Sequence, residues 1–136
     1  MYNVILVPVD LGHKGRIAAM MDIAKHLSAE NARIILVNVV EDVPSYVASQ
    51  LPAGMIENTM QNAADDLKSI AKEYNIKPEL EVRSGHAANA ILEVADEKGA
   101  DAIVIASHKP GWEDILIGST AARVVRHAKC AVHVLR

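Results

Sequence analysis

Two stretches of the sequence bring together the residue types that hold anionic ligands. The first is Pro8-Val9-Asp10-Leu11-Gly12-His13-Lys14-Gly15, and the second runs from Ala106-Ser107-His108-Lys109-Pro110-Gly111-Trp112 through Glu113 and Asp114 to Gly118-Ser119-Thr120. Asp10 directly follows an apolar run, and a carboxylate at the end of a buried strand can accept hydrogen bonds from a ribose diol. It can equally cap the next helix or accept loop amides. Gly12 and Gly15 have turn spacing and lack the Gly-Lys-Ser/Thr ending of a P-loop. Gly118, Ser119 and Thr120 open a segment of helical period, so their N–H groups are expected to lack intrahelical acceptors at the positive end of the helix dipole. Small side chains there let a phosphate approach the backbone closely, with two hydroxyls as further donors. An ordinary Ser/Thr helix cap is the competing explanation. Lys109 is either a neutralising charge for a terminal phosphate or a solvated loop lysine, and Trp112 either covers a ligand or packs its own loop.

These loops need a scaffold, and the apolar pattern supplies one. Val4 to Val9, Ile34 to Val40 and Ala102 to Ala106 are short, rich in β-branched residues and nearly continuous in apolar character, as strands buried on both faces are. Leu80 to Arg83 and Ala131 to Leu135 alternate with polar residues, as edge or half-exposed strands do. Four segments of helical period lie between them. They are marked by Ile17, Met21, Ala24 and Leu27; by Ile56, Met60, Ala63, Leu67, Ile70 and Tyr74; by Ile91, Val94 and Ala95; and by Ala121, Val124, Val125 and Ala128. The alternation β-α-β-α-β-α-β-α-β predicts an α/β fold, Rossmann-like or flavodoxin-like, with right-handed crossovers and helices on both faces of a five-stranded parallel sheet. In such a sheet ligands collect beyond the carboxyl ends of the strands, where successive crossovers reverse direction. The loops after the first and fourth strands therefore carry the candidate site. Glu41 to Gly54, with Pro44 and Pro52, is the longest connection and the candidate flap.

Composition narrows the class. The 136 residues are 51% hydrophobic and 23% charged, and no run approaches the ~20 apolar residues of a spanning helix. One soluble domain over residues 1–136 is expected, without membrane association. The opening MYNVILVPVD has no basic leader and reads as a strand. The single cysteine, Cys130, excludes an internal disulfide framework and a multi-cysteine zinc site. It points to a reducing compartment, with the cytoplasm as the expected location. A net charge of −3 with scattered Lys and Arg, three Tyr, one Trp and no Phe offers no footprint for nucleic acid. His13, His26, His86, His108, His127 and His133 show none of the paired spacings of a zinc helix, so no metal site is expected. His86, after Ser84-Gly85, belongs to a turn or to an anion contact. Cys130 has no neighbouring base in sequence and reads as a packed thiol.

ASHKPGWEDILIGST followed by AARVVRHAKCAVHVLR, together with the opening VILVPVD, resembles the universal stress proteins over essentially the whole chain. The resemblance implies the adenine nucleotide alpha hydrolase-like arrangement, with strand order 3-2-1-4-5. The Ala-Ser-His-Lys-Pro form looks like a small-protein branch of that family associated with adenine nucleotides, which implies ATP or AMP as ligand, with or without magnesium. Nucleotide-binding members carry a glycine, two residues, a second glycine, nine residues, then Gly-Ser or Gly-Thr and another hydroxyl. Here Ala106 stands at the first glycine, the second is missing before Lys109, and Ala121 replaces the later hydroxyl while Thr120 sits one place earlier. By the resemblance, Asp10 meets the ribose or the adenine edge, and Val9 and Val39 line the base pocket with Pro8 at the same strand end. Ala106 and His108 flank ribose and phosphates, with Lys109 beside them, and Gly118, Ser119 and Thr120 hold the phosphate chain.

The last strand is expected at a sheet edge with no following helix to shield it, and unpaired edges invite pairing. A twofold dimer in which Val132, His133, Val134 and Leu135 pair antiparallel with their own copy satisfies that edge, and the resemblance implies dimers as well. The alternative is a monomer whose edge is blunted by His133 and Arg136. The function expected is a dimeric stress-response binding module that takes up an adenine nucleotide and shows the change, through the Glu41 to Gly54 flap, to a protein partner the sequence does not identify. A slow ATP hydrolase is one alternative, with Asp10, His108, Glu113 and Asp114 as its only candidate groups and no recognisable catalytic set among them. A nucleotide-free dimer, its phosphate loop narrowed by Lys109-Pro110, is the other.

Overall fold

Val, Ile and Leu concentrate in three strands, β1 (Tyr2–Pro8), β2 (Ser28–Glu41) and β4 (Ala102–Ala106), and these become the inner strands of the sheet. The computed structural model describes residues 1–107 and 117–136. Strands β3 (Glu79–Gly85) and β5 (Ala131–Leu135) flank the inner three, giving the order β3-β2-β1-β4-β5 with every neighbouring pair parallel. This is the expected parallel α/β sheet in the expected strand order.

Alternate residues of the inner strands feed opposite faces. Ile5, Val7, Leu36 and Val104 pack against α1 (Ile17–Leu27) and α3 (Met55–Glu73), while Leu6, Ile35, Ile103 and Ile105 pack against α4 (Ala87–Lys98) and α5 (Ser119–His127). Two helices thus cover each face. Crossovers from β1 run one way along the sheet and the crossover from β4 runs the other, so direction reverses between β1 and β4. Their carboxyl ends flank the crevice where such folds place ligands.

Several elements differ from expectation. Strand β2 starts at Ser28, six residues earlier than its apolar core, because Ser28 pairs with Tyr2 before the register slips and Arg33 pairs with Val4. Asn31 absorbs the slip at φ 61, a left-handed conformation that asparagine tolerates better than most residues. The candidate flap contains a single helical turn, α2 (Ser45–Ala48), entered from Pro44 at φ −55. Ile56 is 46% exposed, since α3 runs antiparallel to the strands and its first turns project past their carboxyl ends; only Ala63, Leu67 and Ile70 are buried. On α5 the buried face is Ala121 and Val124, and Val125, turned ~100° from its neighbour, is exposed.

The β3 edge carries a ladder of ion pairs. Glu79, Glu81 and Arg83 alternate along one face; Arg33 meets Glu79 at 2.6 Å, Lys98 meets Glu81 at 2.9 Å, and Arg83 meets Glu97 at 2.7 Å. The hydrogen bond from Arg33 holds the Glu79 carboxyl below its ordinary value, and that from Arg83 does the same for Glu97. Burial pushes Glu81 up, but Lys98 and Arg83 outweigh it. A carboxylate whose folded pKa is depressed contributes stability that is complete above its unfolded pKa and is lost as pH falls through the folded pKa. Urea unfolding midpoints should therefore stay level from pH 7 to about 5 and drop below 4.5, the ordinary glutamate value. Glu81→Gln should flatten that drop; an equally steep acid limb in the variant would remove the ladder from the explanation.

Candidate functional site

A cleft of about 370 Å³ opens beyond the carboxyl ends of β1, β2 and β4. Pro8, Val9 and Asp10 form one lip, and Gly118 to Ala121, at the start of α5, form the other. Val37, Asn38, Val39 and Glu41 of β2, with Ile105, Ala106 and Ser107 from the end of β4, line the wall between, while Met20, Ala87 and Ile91 close it from the helices. Eight of the residues singled out in the sequence therefore meet here: Pro8, Val9, Asp10, Val39, Ala106, Gly118, Ser119 and Thr120. His108 and Lys109 lie outside the described residues, as do Trp112, Glu113 and Asp114.

Asp10 is engaged within its own loop. One carboxylate oxygen accepts the Gly12 N–H at 2.9 Å and the other meets His13 Nδ1 at 2.9 Å. A Cβ at Gly12 would sit 3.3 Å from the same carboxylate oxygen, close enough that the Asp10 side chain would have to give way. Asp10 thus accepts a loop amide, and its exposed carboxylate stands at the rim of the cleft.

The start of α5 corrects one expectation. The N-cap is Gly118, with φ −57 and no side-chain cap, so neither Ser119 nor Thr120 plays the capping role. The Gly118 N–H is not open: it donates to Ser107 Oγ at 2.7 Å, while the Gly118 carbonyl accepts from Ala122 at 2.9 Å. The orphan donors are those of the first helical turn, Ser119, Thr120 and Ala121, whose N–H groups have no acceptor within the helix. They carry the positive end of the dipole to the cleft, across from Asp10.

Sequence reasoning missed Asn38 and Ser107. Asn38 had a signal: it is the one polar residue in the run Ile34 to Val40, and a buried amide demands a partner. That partner is the Val9 carbonyl, which accepts from Asn38 Nδ2 at 2.9 Å. Ser107 had none, because a serine after a strand is ordinary loop composition.

Elsewhere the chemistry is quieter. Burial pushes the Cys130 thiol up, and the charges of Asp101 and Asp96 add to it, so the sulfur stays protonated near neutrality. His86 precedes α4 with extended backbone and no side-chain cap bond; the next residue, Ala87, lines the cleft. Among the described residues, no group of three or more His, Cys, Asp or Glu is placed to hold a metal ion, and no helix is long and apolar enough to cross a membrane.

At the β5 edge, Ser107 N–H donates to the Leu135 carbonyl at 2.8 Å. Backbone groups alternate sides along a strand. Ala131, His133 and Leu135 therefore face β4, and the N–H and C=O of Val132 and Val134 point outward from the sheet.

The universal stress protein family matches residues 1–136. A universal stress protein of Methanocaldococcus jannaschii is 35% identical over 141 aligned residues, which cover 100% of this chain and 83% of that protein. The universal stress protein of Archaeoglobus fulgidus solved in complex with dAMP has the same fold, with a TM-score of 0.69, 20% identity and coverage of 99% and 98% of the two chains. A universal stress protein solved in complex with cAMP superposes with a TM-score of 0.64 at 22% identity, covering 99% and 97%. The match along its full length, on a sheet of this order with the crevice between β1 and β4, makes the chain a member of the universal stress protein family.

Proposed function

We propose that the cleft binds an adenine nucleotide, ATP or AMP, and that the protein is a dimeric stress-response binding module of the cytoplasm. The observation that carries this reading is the opening of three first-turn amides, which have no acceptor within the helix, onto the same cleft as Asp10 and Val39. An anion at a helix start and a ribose beside a strand-end carboxylate are what this geometry serves. The dAMP and cAMP bound by two proteins of the same fold support the choice of ligand class. In this reading Pro8, Val9 and Val39 line the base, Asp10 exchanges a loop contact for the ribose, and the phosphate lies on Gly118 to Ala121, with Ala106 alongside. His108 and Lys109 would add to the phosphate end, and a magnesium ion would accompany a longer phosphate chain. The second copy joins through the outward-facing groups of Val132 and Val134, which brings His133 and Leu135 into the interface.

Mass analysis of the small molecules released on denaturing the freshly purified protein should find a near-stoichiometric adenine nucleotide. Calorimetric titration of the emptied protein should then rank ATP, ADP and AMP. No released nucleotide, and no heat from any of the three, refutes the reading.

A further inference from the structure

Only two polar side chains are buried among the described residues, Asn38 and Ser107, each 9% exposed, and both line the cleft. Burying an amide or a hydroxyl is costly unless it is hydrogen-bonded. Each makes one such bond, and each bond reaches to the backbone of the opposite partner of its lip. Asn38 Nδ2 donates to the carbonyl of Val9, the residue before Asp10; Ser107 Oγ accepts the N–H of Gly118, the residue before the three open amides. The sheet does not need either bond to close. The Val9 N–H already donates to the Val37 carbonyl at 2.8 Å, which ties β1 to β2, and the Ser107 N–H ties the end of β4 to Leu135. Apolar residues of the same size would fill both positions but would leave the Val9 carbonyl and the Gly118 N–H without these partners.

We propose that Asn38 and Ser107 are positioning residues, one strut for each lip of the cleft: Asn38 sets the nucleoside end by fixing the Val9–Asp10 peptide, and Ser107 sets the phosphate end by fixing Gly118. The inference rests on the nucleotide reading above and adds two roles to it. It requires that the two struts fail differently. Loss of the Ser107 hydroxyl disturbs only a ligand with a phosphate, whereas loss of the Asn38 amide disturbs the part that every nucleoside shares.

The test titrates adenosine and AMP into the wild-type protein, Ser107→Ala, Ser107→Thr and Asn38→Leu, with thermal unfolding of each ligand-free protein alongside. Ser107→Ala should weaken AMP on the order of tenfold, the loss of one hydrogen bond to a buried group, and leave adenosine unchanged; Ser107→Thr, which keeps the hydroxyl, should restore AMP. Asn38→Leu should weaken both ligands by the same factor, and Asn38→Ser, too short to reach the Val9 carbonyl, serves if the leucine variant does not fold. In the ligand-free protein, Ser107→Ala should also speed amide hydrogen exchange at Gly118. Equal losses for adenosine and AMP in Ser107→Ala, or wild-type affinity in Asn38→Leu, overturn the strut roles while leaving the nucleotide reading intact. A wild-type protein that binds neither ligand overturns that reading and the struts together.

Discussion

Gly118→Val is expected to weaken AMP binding by at least about a hundredfold, or ~2.7 kcal/mol, in a protein that still folds. Gly118 is buried, with φ −57 and ψ 153. Valine adopts that backbone without strain, so the substitution does not unfold the chain through its dihedrals. Gly118 lines the cleft immediately before the first turn of α5, where the phosphate must come within ~3 Å of backbone N–H groups. A branched side chain there keeps the anion out of hydrogen-bonding range of the orphan donors. Some packing cost accompanies it, about 1–3 kcal/mol for overfilling a buried position, which a domain with a typical 5–15 kcal/mol of stability withstands. Gly99→Val should behave in the opposite way. Gly99 ends α4 at φ 65, where valine is strained, yet a Cβ there meets nothing within 4 Å and the residue is away from the cleft. It should lower the unfolding temperature and leave the AMP affinity alone. Calorimetry and thermal unfolding on both variants give the comparison, and wild-type affinity in Gly118→Val would remove the start of α5 from the binding site.

That contrast between local and long-range information also marks what the sequence revealed. The inner strands were legible because Val4 to Val9, Ile34 to Val40 and Ala102 to Ala106 are apolar on both faces, and alternation with helical segments then leaves few topologies. Placement of Asp10, Val39 and Gly118 to Thr120 around one cleft followed from the topology, since strand ends converge where crossovers reverse. The bond that engages the Gly118 amide was hidden for a different reason. Its acceptor is a serine eleven positions earlier whose hydroxyl has no local signature, and the same distance in sequence hides the bond from Asn38 to Val9. Helix α2 is four residues long, too short for any periodic signal. The exposed Ile56 and Val125 show the limit of apolar stripes: a helix longer than the sheet beneath it, or covering an edge strand, keeps apolar residues that no partner buries.

Val134→Pro should convert the proposed dimer to a monomer, while His133→Pro, one residue away, should damage the fold itself. The two edges of the sheet explain why pairing belongs at β5. Strand β3 presents Glu79, Glu81 and Arg83, and a second copy would have to disrupt their ion pairs to approach. Charged ladders of this kind blunt an edge. Strand β5 reads Ala-Val-His-Val-Leu, with no acidic residue, lysine or arginine. A twofold axis through His133 would set Val132 of each strand against Val134 of the other, so their outward N–H and C=O groups exchange hydrogen bonds and close the assembly without a leftover edge. Proline at Val134 removes one of the two outward donors on each strand but leaves the ladder to β4, because the N–H of His133 and Leu135 makes those bonds. With two bonds lost per dimer at about 1 kcal/mol each, and a ring intruding between the strands, dimer affinity should fall at least about a hundredfold. Sedimentation equilibrium should find the variant as a monomer with wild-type circular dichroism and a lower unfolding temperature, since association no longer adds to stability. In His133→Pro the lost N–H is one that faces β4, where His133 stands in register with Val104, so secondary structure itself should weaken. A Val134→Pro protein that sediments as a dimer would place the interface elsewhere on the molecule, and the outward-facing backbone of β5 would then need another partner.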